Sequence, residues 1–570
     1  METIEPVERR DYGMVALFTL LLYAIVLACG GPLTMHEGVL SQTTKAMLAD
    51  HDWLVPHYGD APWLERPPLP QWISCAICSV IGHCDQEWNV RIGPALAGTL
   101  TVLLTLWLAG RLFGRATGIV SALILATMYN FVRYSTLAEA DIFLAPIVGG
   151  ALCCFAYVEL LRVPQPSESN NFFGKRPWPV LLFFVLLGMT NLAKGLVFGM
   201  VIVMAPIGVF MIWNANAETR TDRRDLLIFL GLYAWAFLTK LLGLRTSIGL
   251  GPMALFFLWN IRLYTRYLWL WGWLAFAVVA LPWPILAYLR YPDAVDVWTF
   301  DLQARLNANY LGEPPWYYFV CLTWVSQPWA IAVGGGLLVT FRSVWNHGSP
   351  ALRFVWCWAW MPLLIYSLAD GKHHHYMLHY LAPWAILAAH GAIWSWKRLS
   401  ERLLGERIVG LVAAMFVTIF VLYGVGFAYK GAYLHRSRED TAFLLQARSA
   451  VPMEMPLMIN SADEALEGLR MQFYLGDQSY FLHNLSFVRD DRVHGDDIYV
   501  VTRFNRRSQL EKYGRVEPII KCKHSRREAS EEERWTLFHV HLRENLERKS
   551  ANVRISPMQA MYRAEGPDLD

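Results

Sequence analysis

The chain has 570 residues, of which 55% are hydrophobic and only 17% charged, a composition too apolar and too charge-poor for an ordinary soluble protein. A formal net charge of +3 carries no electrostatic footprint of a nucleic-acid partner, so that class is set aside.

The bilayer is therefore the solvent in which the sequence is read. Apolar runs of about twenty residues recur between Met14 and Tyr429, each long enough to cross about 30 Å of hydrocarbon as a helix. The first run follows a segment, Met1 to Asp11, with charges of both signs. No small-residue cleavage site comes after it, so it reads as a retained helix rather than a signal peptide. Thirteen crossings are expected, at about 14–34, 90–113, 117–134, 140–162, 179–195, 197–213, 226–244, 247–263, 268–290, 316–341, 352–370, 376–396 and 407–429. Residues 1–430 thus form a transmembrane domain with one long outer loop at 35–89. Residues 431–570 are charge-rich with short apolar runs such as Ile498-Tyr499-Val500-Val501, which suggests a strand and a small soluble α/β domain.

An odd number of crossings puts the termini on opposite sides. The short connections holding Arg111/Arg115, Arg162/Lys175/Arg176, Arg220/Arg223/Arg224, Arg262/Arg266, Arg342/Arg353 and Lys397/Arg398/Arg402/Arg407 share one side, which the positive-inside rule makes cytoplasmic. The N-terminus is then cytoplasmic, and the 35–89 loop and the C-terminal domain face outward.

With that orientation the unusual ionisable residues collect on the outer face. His36, Glu37, Glu65 and Arg66 lie in the first outer loop, Glu139 and Asp141 open the fourth span, and Lys194 ends the fifth. Asp301, Arg305 and Glu313 follow the ninth span, and Asp370, Lys372 and His373 to His375, with Tyr376, follow the eleventh. Charge at membrane depth is expensive and usually faces a cavity or a partner, so one shared outer cavity is the economical explanation. Within the first loop, Val39, Thr43, Ala46 and Met47 make a one-sided apolar stripe, as in a short helix lying on a membrane surface. Pro67, Pro68 and Pro70 then fix an extended stretch beside Glu65 and Arg66.

Metal readings are weaker. Cys75, Cys78, His83 and Cys84 mimic a zinc-ligand cluster inside an apolar stretch, but the spacing matches no zinc motif. The run His373-His374-His375 invites a divalent metal, yet neighbouring side chains in a short loop diverge, and a hydrogen-bonding rim for phosphate or sugar fits better. No cofactor is assigned.

Several short motifs in one order carry a family resemblance. They are His36-Glu37, Met47-Leu48 through Asp52-Trp53 to Pro56-His57, Glu65-Arg66-Pro67 before Trp72, Glu139-x-Asp141, Ala193-Lys194-Gly195, Pro315-Trp316-Tyr317-Tyr318, and Lys372 through Tyr376 to Pro383. From about Leu33 to Ala389 the chain resembles the lipid A aminoarabinose transferases and, more distantly, the protein O-mannosyltransferases, polytopic enzymes of the GT-C superfamily. The resemblance implies an all-α polytopic GT-C fold and a polyprenyl-phosphate sugar as donor. It also implies inverting transfer on the outer face of the cytoplasmic (inner) membrane to a glycolipid, protein or envelope polymer. It matches Arg66, Lys194 and Lys372 to the donor phosphate, whose growing charge needs cations. Glu37 and Asp141 are the candidate bases, with His36, Glu65, Glu139, Arg305, His373 and Tyr376 lining the cavity.

Two departures stand out. Those relatives open the first loop with an acidic pair, and here the first member is His36. Many carry Lys-x-Pro after the eleventh span, where this chain has Lys372-His373-His374-His375-Tyr376. The competing class is a polytopic lipid or sugar transporter or flippase. Against it, the sequence shows no inverted repeat, and its charges crowd one face instead of the midplane.

Overall fold

The architecture comes from a computed structural model, which describes residues 5–58, 61–163, 171–195, 198–215, 222–242, 246–306, 313–345, 349–369, 371–400, 405–429, 437–452, 454–455, 457–460, 465–476, 479–482, 497–523 and 533–543. The chain is mostly helical. Helices α1 (Arg9–Ala28) and α2 (Met35–Asp50) precede a minimal hairpin, β1 (His57–Tyr58) and β2 (Ala61–Pro62). There follow α3 (Leu69–Ile81), α4 (Glu87–Phe113), α5 (Arg115–Thr127), α6 (Tyr129–Ser135), α7 (Leu144–Ala156), α8 (Trp178–Lys194), α9 (Phe198–Ala215), α10 (Asp222–Leu241) and α11 (Thr246–Trp259). After these come α12 (Leu270–Ala280), α13 (Pro282–Arg290), α14 (Ala294–Leu306), α15 (Tyr317–Val325), α16 (Ala330–Trp345), α17 (Pro350–Leu368), α18 (Leu381–Ser400) and α19 (Gly405–Tyr429).

Each apolar run expected to cross the membrane contains helix among the described residues, and local chemistry explains where helices stop. The first ends at Ala28 rather than near residue 34, because Gly30-Gly31-Pro32 cannot continue it. α2 opens on a capping box in which the Thr34 side chain accepts from the Glu37 N–H and the Glu37 carboxylate accepts from the Thr34 N–H. Pro70, expected in an extended stretch, instead lies in the first turn of α3, where a missing N–H costs nothing. α8 stops at Lys194 because Gly195 takes φ +104.

Six described helices are long and apolar enough to span a bilayer, or up to eight if each of two bent pairs counts as one span. α5 and α6 bend by 68°, and α15 and α16 by 116° across a break that contains Pro328.

The chain divides into two compact units. One comprises Met1–Tyr23, Pro94–Thr136 and Ala140–Val421; the other comprises Ala24–Gly93, Leu137–Glu139 and Leu422–Asp570. In the first, α16 and α18 approach so closely that a Cβ on Gly336 would collide with the carbonyl oxygen of Leu387. A Cβ on Gly391 would meet the Cα of Gly336 at 2.5 Å. Small residues at such a seam let two backbones touch, which is how helices gain packing energy without a hydrophobic drive.

The second unit contains the C-terminal sheet. Helices α20 (Ser437–Ala450), α21 (Ala465–Leu475) and α22 (Arg507–Leu510) accompany β3 (Leu457–Asn460), β4 (Ser479–Leu482), β5 (Asp497–Arg503), β6 (Gly514–Lys521) and β7 (Trp535–Leu542). The strand order is β4-β3-β5-β7-β6, with β3 parallel to β4 and β5, and β7 antiparallel to β5 and β6. The strand read at Ile498 to Val501 is β5, and the small α/β expectation holds. Phe443, Leu444 and Ala447 of α20 pack on the face bearing Leu457, Ile459 and Leu537, while Met458, Val500 and Phe538 fill the opposite face.

The first-loop helix departs from its expected role. Of the stripe Val39, Thr43, Ala46 and Met47, only Thr43 and Met47 are buried, together with Glu37, Gly38, Leu40, Ser41, Gln42 and Thr44. α2 is enclosed by α3 and α21 rather than laid on a surface by one apolar stripe.

The α16/α18 seam yields a stability prediction. Gly336→Val should cost about 1–3 kcal/mol by overpacking, read as a lower unfolding temperature of the detergent-solubilised protein, whereas Gly335→Ala, in open space, should not.

Candidate active site

In the first unit three chain segments bring together residues read separately from the sequence. Asp141 lies in a 3-10 turn, Ala140–Phe143, that runs straight into α7. Lys194 is the last residue of α8, delivered there by the Gly195 stop. The loop between α17 and α18 carries Lys372 to Tyr376, the last part as a 3-10 turn, His374–Tyr380. Lys194 forms an ion pair with Asp141, their side chains 4% and 14% exposed. The Lys194 ammonium lies 5.5 Å from the Tyr376 ring centroid and 5.7 Å from that of Phe198. His375 Nε2 stands 3.9 Å from the second Asp141 oxygen.

The three histidines do not aim at one point. His373 and His375 stack at 5.0 Å, and His374 turns away to the Tyr134 hydroxyl at 3.1 Å and the Trp324 ring at 5.1 Å. Among the described residues no cluster of three His, Cys, Asp or Glu side chains is arranged to hold a metal ion. Lys372 is buried and donates to the Glu313 carbonyl oxygen at 3.0 Å, and the His373 N–H donates to the Tyr318 hydroxyl at 3.3 Å. The arrangement is a half-buried carboxylate bracketed by a cation and an imidazole, walled by tyrosine and phenylalanine rings. Such a site can accept a proton and hold an anion in a medium of low dielectric.

The second unit places the other expected residues. Glu37 is fully buried and accepts four hydrogen bonds. Oε1 receives Arg91 Nε at 2.7 Å and the Ala138 N–H at 2.9 Å, and Oε2 receives Arg91 Nη2 at 3.0 Å and the Thr34 N–H at 2.8 Å. Burial opposes its ionisation, but Arg91 and the two backbone donors outweigh that and hold the carboxyl below the usual carboxylate range. With both oxygens saturated, Glu37 is a poor proton acceptor for a substrate, which counts against its expected role as a base. Arg66 is half-buried, Glu65 buried, His36 exposed and Glu139 half-buried.

Asp301 and Arg305, expected in a loop, lie on α14; their side chains and all of Asp370 are outside the described residues. Reading the sequence missed His375 as the neighbour of Asp141, and it missed Arg91 and Tyr134. Arg91 had a signal: it is an arginine at the head of a long apolar run, where a buried partner is the default.

Residues 65–221 match the family described as dolichyl-phosphate-mannose-protein mannosyltransferase. The undecaprenyl phosphate-alpha-4-amino-4-deoxy-L-arabinose arabinosyl transferase of Erwinia tasmaniensis is 28% identical over 429 residues, covering 74% of this chain and 66% of that protein. Its namesake from Edwardsiella ictaluri is 27% identical over 381 residues, covering 65% and 57%. The match thus spans less than two thirds of the length of these relatives. Among solved structures, ArnT from Cupriavidus metallidurans bound to undecaprenyl phosphate superposes with a TM-score of 0.63 at 16% identity, covering 92% of this chain and 98% of that one. The Archaeoglobus fulgidus oligosaccharyltransferase gives 0.52 at 14% identity, covering 88% and 70%.

The fold is that of ArnT and the archaeal oligosaccharyltransferase, and the resemblance carried by the motifs is borne out. The chain is a multi-pass membrane protein whose likeness to solved structures is to ArnT and the archaeal oligosaccharyltransferase.

Glu37 yields a prediction with a definite sign. Glu37→Gln leaves Arg91 buried without its counter-charge and should destabilise the protein by about 3–5 kcal/mol at neutral pH. Because the folded-state pKa of Glu37 is depressed, its contribution is present above the ordinary carboxylate range and lost as pH falls through the folded value. In unfolding temperatures measured from neutral pH into the acid range, the gap between wild type and Glu37→Gln should narrow.

Proposed function

We propose that the chain is an inverting glycosyltransferase that moves a sugar from a polyprenyl-phosphate donor to an acceptor hydroxyl. The observation that carries this reading is the Asp141–Lys194 ion pair with His375 beside it, built from the segments that carry the family motifs. The names of the relatives and the undecaprenyl phosphate bound in the superposable ArnT structure support the donor class.

The acceptor oxygen attacks the anomeric carbon from the face opposite the lipid phosphate, the carbon–oxygen bond to phosphate breaks, and the lipid leaves as its phosphate monoester. Asp141 takes the acceptor proton. Lys194, Lys372 and Arg66 hold the donor phosphate and the charge that grows on it; in the resting site Lys194 is engaged by Asp141, so an arriving phosphate competes for its ammonium. His373, Tyr376, His36, Glu65, Glu139 and Arg305 are assigned to the walls of the substrate cavity. Glu37 is assigned to architecture. The acceptor class is a glycolipid, a protein or an envelope polymer.

The orientation belongs to the same proposal. Thirteen crossings from a cytoplasmic N-terminus put the site and the C-terminal sheet on the outer face of the cytoplasmic membrane. A reporter fused after Arg436 should be active only outside the cytoplasm, and a cytoplasmic signal refutes the assigned sidedness.

Transfer of radiolabelled sugar from polyprenyl phosphate by the purified protein tests the chemistry. Asp141→Asn keeps the shape of the side chain and removes its basicity, so turnover should fall by roughly 10² to 10⁴. Ala at Arg66, Lys194 or Lys372 should weaken donor use about ten- to a hundredfold, with Lys tolerated better than Ala at position 66. Near-normal turnover of a correctly folded Asp141→Asn removes Asp141 from the proton transfer.

A further inference from the structure

The C-terminal sheet domain has no part in the chemistry above, yet one of its helices is joined to the first loop at close range. A Cβ on Gly38 of α2 would come within 2.7 Å of the Arg470 nitrogen and 2.9 Å of its Cα on α21, so the two helices touch backbone to backbone and only glycine fits. Arg470 is itself immobilised: its guanidinium is buried, paired with Glu467, 3.7 Å from Asp440 and donating to Thr441 at 3.3 Å. One helical turn on, the Tyr474 hydroxyl donates to Glu87 Oε1 at 2.9 Å and accepts from the Leu33 N–H at 2.7 Å. Phe473 packs among Leu33, Cys78, Cys84, Val90 and Ala138.

These contacts converge on one small piece of the unit. Leu33 precedes the Thr34 cap of α2, Glu87 is one turn before Arg91 on α4, and Glu37 links that cap and Arg91 to the Ala138 N–H. Ala138 comes three residues before Asp141 in the chain. A peptide N–H held by a saturated buried carboxylate has little freedom, and neither does the short segment that follows it.

We propose that α21 is a positioning element for Asp141. Through Gly38 and Tyr474 it fixes the α2 cap, the cap fixes Glu37, and Glu37 fixes the backbone leading into the turn that carries the carboxylate. This rests on the glycosyltransferase reading for its kinetic consequence and not for its structural one.

The experiment uses the full-length protein in detergent or nanodiscs, with Tyr474→Phe and Gly38→Val compared with wild type. Tyr474→Phe removes one oxygen atom and keeps the ring, so it remains informative if Gly38→Val fails to fold. Amide hydrogen exchange should rise at residues 33–38 and also at 137–141 in both variants. The kcat of Tyr474→Phe should fall about tenfold, with donor KM changed less than about threefold, because Tyr474 is assigned to positioning and not to holding the donor phosphate. Unchanged exchange at 137–141 overturns the proposal. So does a rise confined to 33–38, which makes α21 a brace for the first loop alone. If wild type shows no transfer, the glycosyltransferase reading fails and the exchange data still decide the coupling.

Discussion

A carboxylate taken fully out of water has to be paid back on every lone pair, and Glu37 is. Arg91 supplies a two-pronged guanidinium, and the Thr34 and Ala138 amides supply the rest. Those four donors come from three separate stretches of chain, so a single side chain joins the start of α2, the head of α4 and the strand of backbone at 137–139. Breaking such a pair leaves the surviving charge buried alone, which is costlier than never having built it. That asymmetry makes the arrangement close to all-or-none. It also separates two carboxylates that composition alone would treat alike: Glu37 is consumed by architecture, and Asp141 keeps one oxygen facing an imidazole at 3.9 Å rather than a hydrogen-bond donor of the backbone.

The Asp141 site follows a different economy. Lys194 and Asp141 neutralise each other, and the walls around them are tyrosine and phenylalanine rings whose faces favour a cation. An ion pair enclosed this way has no net charge in the resting state, gains one negative charge when the phosphodiester donor arrives, and faces a second as the lipid leaves as its phosphate monoester. The proposed donor therefore enters a site whose cation is already in place and already desolvated, so less reorganisation is needed when the lipid phosphate departs.

Much of this was legible from the sequence, and the reasons for the rest are specific. Apolar runs mark helices because a bilayer leaves no other way to satisfy the backbone, and each expected run contains helix among the described residues. Their exact ends depended on punctuation such as Gly30-Gly31-Pro32 and Gly195, and the bend between α15 and α16 could be suspected from Pro328 but not its size. Asp141 and Lys194 were legible because each sits in a short motif at a helix end. Their pairing across 53 residues was not, because local sequence carries no record of which distant helix end will be adjacent. The α2 stripe misled for a related reason: nothing in the sequence marked a role for Gly38, and its value appears only with Arg470 behind it. Tyr474, one tyrosine among 25, had no signal at all.

The neighbouring positions 36 and 37 show how a helix lets one motif hold two jobs. Successive residues on an α-helix point about 100° apart, so when Glu37 faces inward to Arg91 its predecessor must face elsewhere, and His36 is indeed exposed. The motif resemblance leads one to expect an acid at the first of these positions. Replacing it by histidine changes a group on the open side of the helix and leaves the four donors of Glu37 untouched. The substitution therefore bears on the chemistry around the loop and not on the fold, and a chain can lose the first acid and keep the second without conflict. On that argument the two positions answer to different demands: Glu37 is held by the architecture through its four donors, while Asp141, paired with Lys194 and facing His375, is the carboxylate to which the proposal gives the proton transfer.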